Sequence, residues 1–196
     1  PNPQLKTTVI NALVQIGELT SLQGAVAKLD GGYLQDTEYA EIGKAKEQGA
    51  VDLLIARLRT NEPYHVNLAA RTLGEIGDPR AVEPVIHALV YGNHNYGMSD
   101  VPRALGKLGD RKAIEPLQLF LRNSQQIMQY DLRVAVLEAL VALKAPNYLE
   151  DIAAELKKMT DNGSLHQAAP LLAALGRLHD NRTIPILVSL LGNQQI

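Results

Sequence analysis

The chain predicts an all-α solenoid: a single domain of about six stacked helical hairpins within 196 residues. Three observations carry that prediction. The first is self-similarity: "LGEIGDPRAVEPVIHAL" (Leu73–Leu89) and "LGKLGDRKAIEPLQLFL" (Leu105–Leu121) align at an offset of 32 residues. "LVALKAPNYLEDIAAEL" (Leu140–Leu156) and "LGRLHDNRTIPILVSLL" (Leu175–Leu191) each follow after a further 35. A fixed period of this length marks a repeat array. The second is helical spacing of the apolar residues inside each copy. The third is composition: aromatics make up 4% of the chain, whereas sandwiches and barrels lean on aromatic and β-branched residues.

The expected hairpins span roughly residues 5–31, 33–60, 64–91, 96–123, 130–160 and 165–193, the outer copies being the least regular, as caps are. Each consists of a helix A, a tight turn and a helix B. In the third copy Leu68, Ala69, Thr72, Leu73 and Ile76 share one face of helix A, and Val82, Val85, Ile86 and Leu89 one face of helix B. Gly77 is placed to end the first helix, Asp78 to cap the second and Pro79 to open it. Asp110 and Asp180 hold the capping place in later copies. One hairpin cannot bury both apolar stripes, so neighbours must stack.

The stretch "YGNHNYGMSD" (Tyr91–Asp100) breaks the pattern, because the register puts the start of the fourth helix A near Tyr96. With Ser99 as cap, Asp100 to Pro102 form the first turn, where proline is tolerated, and helix A is short. Tyr91 to Met98 then form an extended loop, with Gly92, Asn93, Asn95 and Gly97 suited to positive φ. Long loops in compact arrays often carry function.

Charge and composition narrow the functional classes. Nineteen basic and 21 acidic residues give a net charge of −2, which argues against phosphate-driven nucleic-acid binding. The chain has no Cys, so disulfides, thiolate metal sites and a Cys nucleophile are excluded, and the expected compartment is cytoplasmic. No apolar run approaches the roughly 18 residues of a membrane span. The five His show no metal-ligand spacing, and no G-x-S-x-G motif occurs, so no metal site is expected and no catalytic set is assigned.

Tyr33, Tyr64, Tyr96 and Tyr130 recur at the starts of helices A, making a row suited either to recognition or to covering the preceding helix. The recognition reading is favoured at Tyr64 and Tyr96, which neighbour His65, Asn67, His94 and Asn95. Arg71 and Arg103 hold matching places in helix A and are suited to carboxylates, either of a ligand or of acids such as Glu75 and Asp100.

"AARTLGEIGDPRAVEPVIHAL" and "PRALGKLGDRKAIEPL" resemble the HEAT-like repeats of the phycobilin lyases. The resemblance extends over nearly the whole chain, and "NYG" (Asn95–Gly97) ahead of Arg103 is similar to a segment of F-type lyase subunits. In HEAT-like arrays the B helices line the concave side. On that expectation Asp52, Glu83, Glu115 and Glu150 form an acidic row, and Ala56, His87, Leu119 and Ala154 a small or apolar middle. Arg59, Val90, Arg122 and Lys157 form a largely basic row, an order that also complements the helix dipoles. The resemblance implies a scaffold for a protein partner, such as a phycobiliprotein or a second lyase-type subunit. It further implies a bilin lyase subunit or chromophore chaperone, with no cofactor of its own but a linear tetrapyrrole bilin as ligand. Arg71 or Arg103 would then meet bilin propionates, and Tyr64, His65, Tyr96 and Asp100 would contact the pyrroles. The alternative is a HEAT-repeat adaptor with no chromophore and no catalysis.

Overall fold

The computed structural model describes residues 39, 48–60, 62–92, 97–123, 130–161, 163–177 and 180–191. The expected first hairpin lies outside them. Nine α-helices occur among the described residues: α1 (Gln48–Arg57), α2 (Pro63–Ile76), α3 (Val82–Tyr91), α4 (Asp100–Leu108), α5 (Ile114–Asn123), α6 (Tyr130–Ala142), α7 (Tyr148–Asp161), α8 (Ala169–Arg177) and α9 (Ile184–Leu191). No strand occurs among them. Helices α2, α4, α6 and α8 pack in sequence as an A layer, and α1, α3, α5 and α7 with α9 make up the B layer. Between the layers runs one continuous core that includes Leu73, Leu89, Leu105, Leu117, Leu137, Leu140 and Ile152.

The turns form by local chemistry. Gly77 (φ 75°) and Gly109 (φ 74°) end α2 and α4 in the left-handed conformation, each N–H bonding the carbonyl four residues back. Asp78, Asp110 and Asp180 then each accept the backbone N–H two residues on. Those caps open a short 3₁₀ turn that leads into helix B. In α6 the same place is held by Lys144, which adopts φ 49°. The Lys144 N–H bonds the carbonyl of Val141 and the Ala145 N–H that of Leu140, a Schellman pattern that would suit glycine better. Left-handed backbone costs a side-chain-bearing residue about 1–2 kcal/mol. Lys144 is exposed, so Lys144→Gly is expected to stabilise the protein by about 0.5–1 kcal/mol once the entropy of the added glycine is deducted. A chemical-denaturation midpoint that falls instead would show that the turn is not strained.

The A helices approach one another closely. A Cβ added to Gly74 would lie 2.8 Å from the Cα of Ala104, and one added to Gly106 would lie 3.1 Å from the Cα of Ala139. Helices α2, α4 and α6 therefore touch backbone to backbone. In the B layer a groove of about 1050 Å³ lies between α3 and the residues that follow α1, and one of about 340 Å³ along α7 and α9. The B-helix positions expected to be free are exposed, namely Asp52, Ala56, Arg59 and their equivalents through Lys157.

Helix α4 has nine residues against 14 in α2, as the displaced start requires. Gly97 adopts φ 68°, as expected of the loop. Gly92 does not, with φ −71°; its constraint is space, since a Cβ there would lie 2.3 Å from the carbonyl oxygen of Ala88.

Candidate functional site on the A helix layer

Asn67 and Arg71 are four residues apart on α2 and so lie on one face. Across the close contact, Asp100 and Arg103 stand at the start of α4, and Glu138 follows on α6. The Asp100 backbone N–H donates to Asn67 Oδ1 at 2.8 Å, while Asn67 Nδ2 donates to Asp100 Oδ2 at 3.0 Å. Asn67 thereby caps α4 from the neighbouring repeat. Ser99 stands at the cap position but its side chain makes no capping bond, which corrects the local cap expected there. Its hydroxyl instead accepts from Arg103 Nη1 at 3.1 Å.

Around Asp100 the charges alternate. Arg71 Nη1 lies 4.0 Å from Asp100 Oδ2, and Arg103 Nη1 lies 3.9 Å from Asp100 Oδ1. Arg103 Nε donates to Glu138 Oε2 at 2.8 Å. Lys107 meets Glu75 at 3.7 Å alongside. Both arginine side chains are 36% exposed and that of Asp100 is 21% exposed, so the ladder borders solvent. Half-exposed pairs of this kind contribute about 0–1 kcal/mol each, too little to explain the ladder as a stability device.

The sequence-derived candidates divide among several places. Asn67, Arg71, Asp100 and Arg103 come together, with Glu138 joining them. Glu138 was absent from the expected set although it sits 35 residues after Arg103 in the repeat register. Tyr64 opens α2 with 59% exposure, as a recognition residue should. His65 is a core residue with 2% exposure and is therefore not available to a surface partner. Its Nδ1 shares a hydrogen bond of 3.3 Å with the buried Tyr39 hydroxyl, and its ring meets the Tyr64 ring edge-on at 5.3 Å. His87 is exposed on the B layer, its ring tilted by 40° against that of Tyr91 with centroids 4.6 Å apart, and lines the groove with Arg59, Glu83 and Val90. His94, Asn95 and Tyr96 lie outside the described residues, as do Tyr33 and the Tyr130 side chain.

Burial, seconded by Arg57, lowers the His65 pKa below its ordinary 6.5, and Glu62 opposes the shift. Unfolded chains therefore bind a proton at His65 that the native state resists, so stability is full above about pH 6.5 and declines as pH falls below it. The groups facing the ring are Tyr39, Arg57, Glu62 and Tyr64. Melting temperature is expected to drop more between pH 7.5 and 5.5 in the wild type than in His65→Phe; equal drops would remove His65 from the pH response.

Among the described residues no helix is long and apolar enough to cross a membrane, and no group of three or more His, Asp or Glu is placed to hold a metal. The PBS lyase HEAT-like repeat matches residues 68–91 and 103–123, spans that include Arg71 and Arg103. No curated protein matches the chain.

Proposed function

We propose that this protein, a HEAT-like repeat chain carrying PBS lyase HEAT-like repeats, is a binding scaffold whose A layer handles a bilin chromophore for a phycobiliprotein. It would act as a lyase subunit or a chromophore chaperone. The observation that carries this reading is the pair of guanidiniums on successive A helices, Arg71 and Arg103, which flank one carboxylate while each stays 36% exposed. Linear tetrapyrroles carry propionates that suit such a pair, and Tyr64 supplies an exposed ring at the end of the same layer. The thiol that accepts or releases the bilin would belong to the phycobiliprotein, since this chain has no Cys.

A second reading, an adaptor without chromophore, is favoured by the B-layer groove between α3 and the residues that follow α1. There Tyr91 is 74% exposed and Val90 44%, enough apolar surface to anchor a protein segment. Titration with phycocyanobilin, followed by absorbance, separates the two. The chromophore reading expects saturable, red-shifted absorbance, with affinity reduced about tenfold or more in Arg71→Ala/Arg103→Ala at unchanged melting temperature. Absence of binding by the wild type would leave the adaptor reading standing.

A further inference from the structure

We infer that the occupant of the B-layer groove is a second copy of this chain, the two copies pairing antiparallel through α3 about a two-fold axis at His87. The inference concerns a different face from the chromophore reading and stands or falls apart from it. On α3 the exposed residues Glu83, His87, Val90 and Tyr91 fall at i, i+4, i+7 and i+8, one stripe along one side of the helix. Of the six large hydrophobic residues exposed among those described, Val90, Tyr91 and Leu119 lie on α3 and the adjacent α5, so the widest apolar surface is here. Half-buried Pro84 and Ile86 continue it into the groove.

The charges select the occupant. Glu83 stands in the first turn of α3, and Arg59 lines the groove from the residues that follow α1. Arg80 Nη1, just ahead of α3, donates to Asp52 Oδ1 at 2.9 Å, so α1 and α3 begin side by side. Arg59 comes about two helical turns after Asp52, and so lies toward the end of α3 rather than its start. Neither Glu83 nor Arg59 has a hydrogen-bond or ion-pair partner among the described residues. The groove is therefore acidic at one end and basic at the other, with His87 midway between Glu83 and Tyr91 in sequence. An antiparallel copy matches that pattern: the two-fold brings Glu83 of each copy to Arg59 of the other, forming both pairs at once. A parallel copy would oppose like charges at both ends. Val90 and Tyr91 of each copy then cover Pro84 and Ile86 of the other.

Sedimentation of the full chain tests this. The wild type is expected to dimerise with a dissociation constant of about 1–50 µM. Glu83→Arg alone and Arg59→Glu alone each oppose like charges at both contacts and should weaken the dimer at least about tenfold. An equal mixture of the two variants should restore it, because in a mixed pair each contact again joins opposite charges. Tyr91→Ala moves no charge and should weaken the wild-type dimer about tenfold through lost apolar area. A wild type that stays monomeric to about 200 µM overturns the inference and leaves the groove to a different protein. A dimer indifferent to the reversals or to Tyr91→Ala, or reversals that do not recover on mixing, overturns it as well. All three positions are exposed, and circular-dichroism melting checks that each variant keeps the fold.

Discussion

Glu155→Ala is expected to destabilise the protein by about 3–5 kcal/mol, the cost of stranding a buried charge. Glu155 on α7 and Arg133 on α6 join the two helices of one hairpin through Arg133 Nε to Glu155 Oε1 at 2.9 Å and Nη2 to Oε2 at 2.5 Å. Their side chains are 5% and 11% exposed. The remaining Arg133 Nη1 is buried and finds no hydrogen-bond partner among the described residues, so the carboxylate is the main group that solvates the guanidinium there. Arg133→Met/Glu155→Leu should recover most of the loss, because an apolar pair of similar volume leaves no charge behind. Urea denaturation measures both. A loss below about 1 kcal/mol for Glu155→Ala would mean that water reaches the pair.

Gly74→Val is expected to cost about 2–3 kcal/mol and to weaken binding at the A layer as well. The added Cβ falls 2.8 Å from a backbone atom of Ala104, which cannot turn aside as a flexible side chain can, so α2 and α4 must separate. Separation pulls Asn67 and Arg71 away from Asp100 and Arg103. Gly176 occupies the matching place in the last repeat, where no described atom lies within 4 Å of an added Cβ. Gly176→Ala should therefore stabilise the protein by up to about 1 kcal/mol through helix propensity alone. The same register position thus gives opposite signs. Equal effects at both would contradict the close A layer.

What the sequence made legible was what short-range chemistry decides. The Asp78, Asp110 and Asp180 caps bond the N–H two residues on, and Gly77 and Gly109 end helices by their own φ, so each could be read from its immediate neighbours. The displaced start of α4 was legible for the same reason, since Gly97 and Pro102 restrict backbone locally. The close contact of the A helices was not. It depends on Gly74 and Gly106 meeting alanines some thirty residues further on, which a single sequence does not pair. The α4 cap escaped likewise, because Asn67 supplies it from 33 residues away while Ser99 offers a nearer hydroxyl. His65 read as a surface group beside Tyr64 because Tyr39, which takes it into the core, precedes it by 26 residues. Of the candidate site, Arg71 and Arg103 were visible as a repeated pair with Asp100 as an acid for them, but Glu138, which takes Arg103 Nε from the next A helix, required the fold.

The central claim is that ligand is held on the A layer. Amide hydrogen exchange with and without phycocyanobilin tests it most directly. Protection gained in residues 63–76 and 100–108, with 82–91 and 114–123 unchanged, is the result expected. Protection confined to residues 48–60 and 82–91 would place the ligand in the B-layer groove and contradict the account.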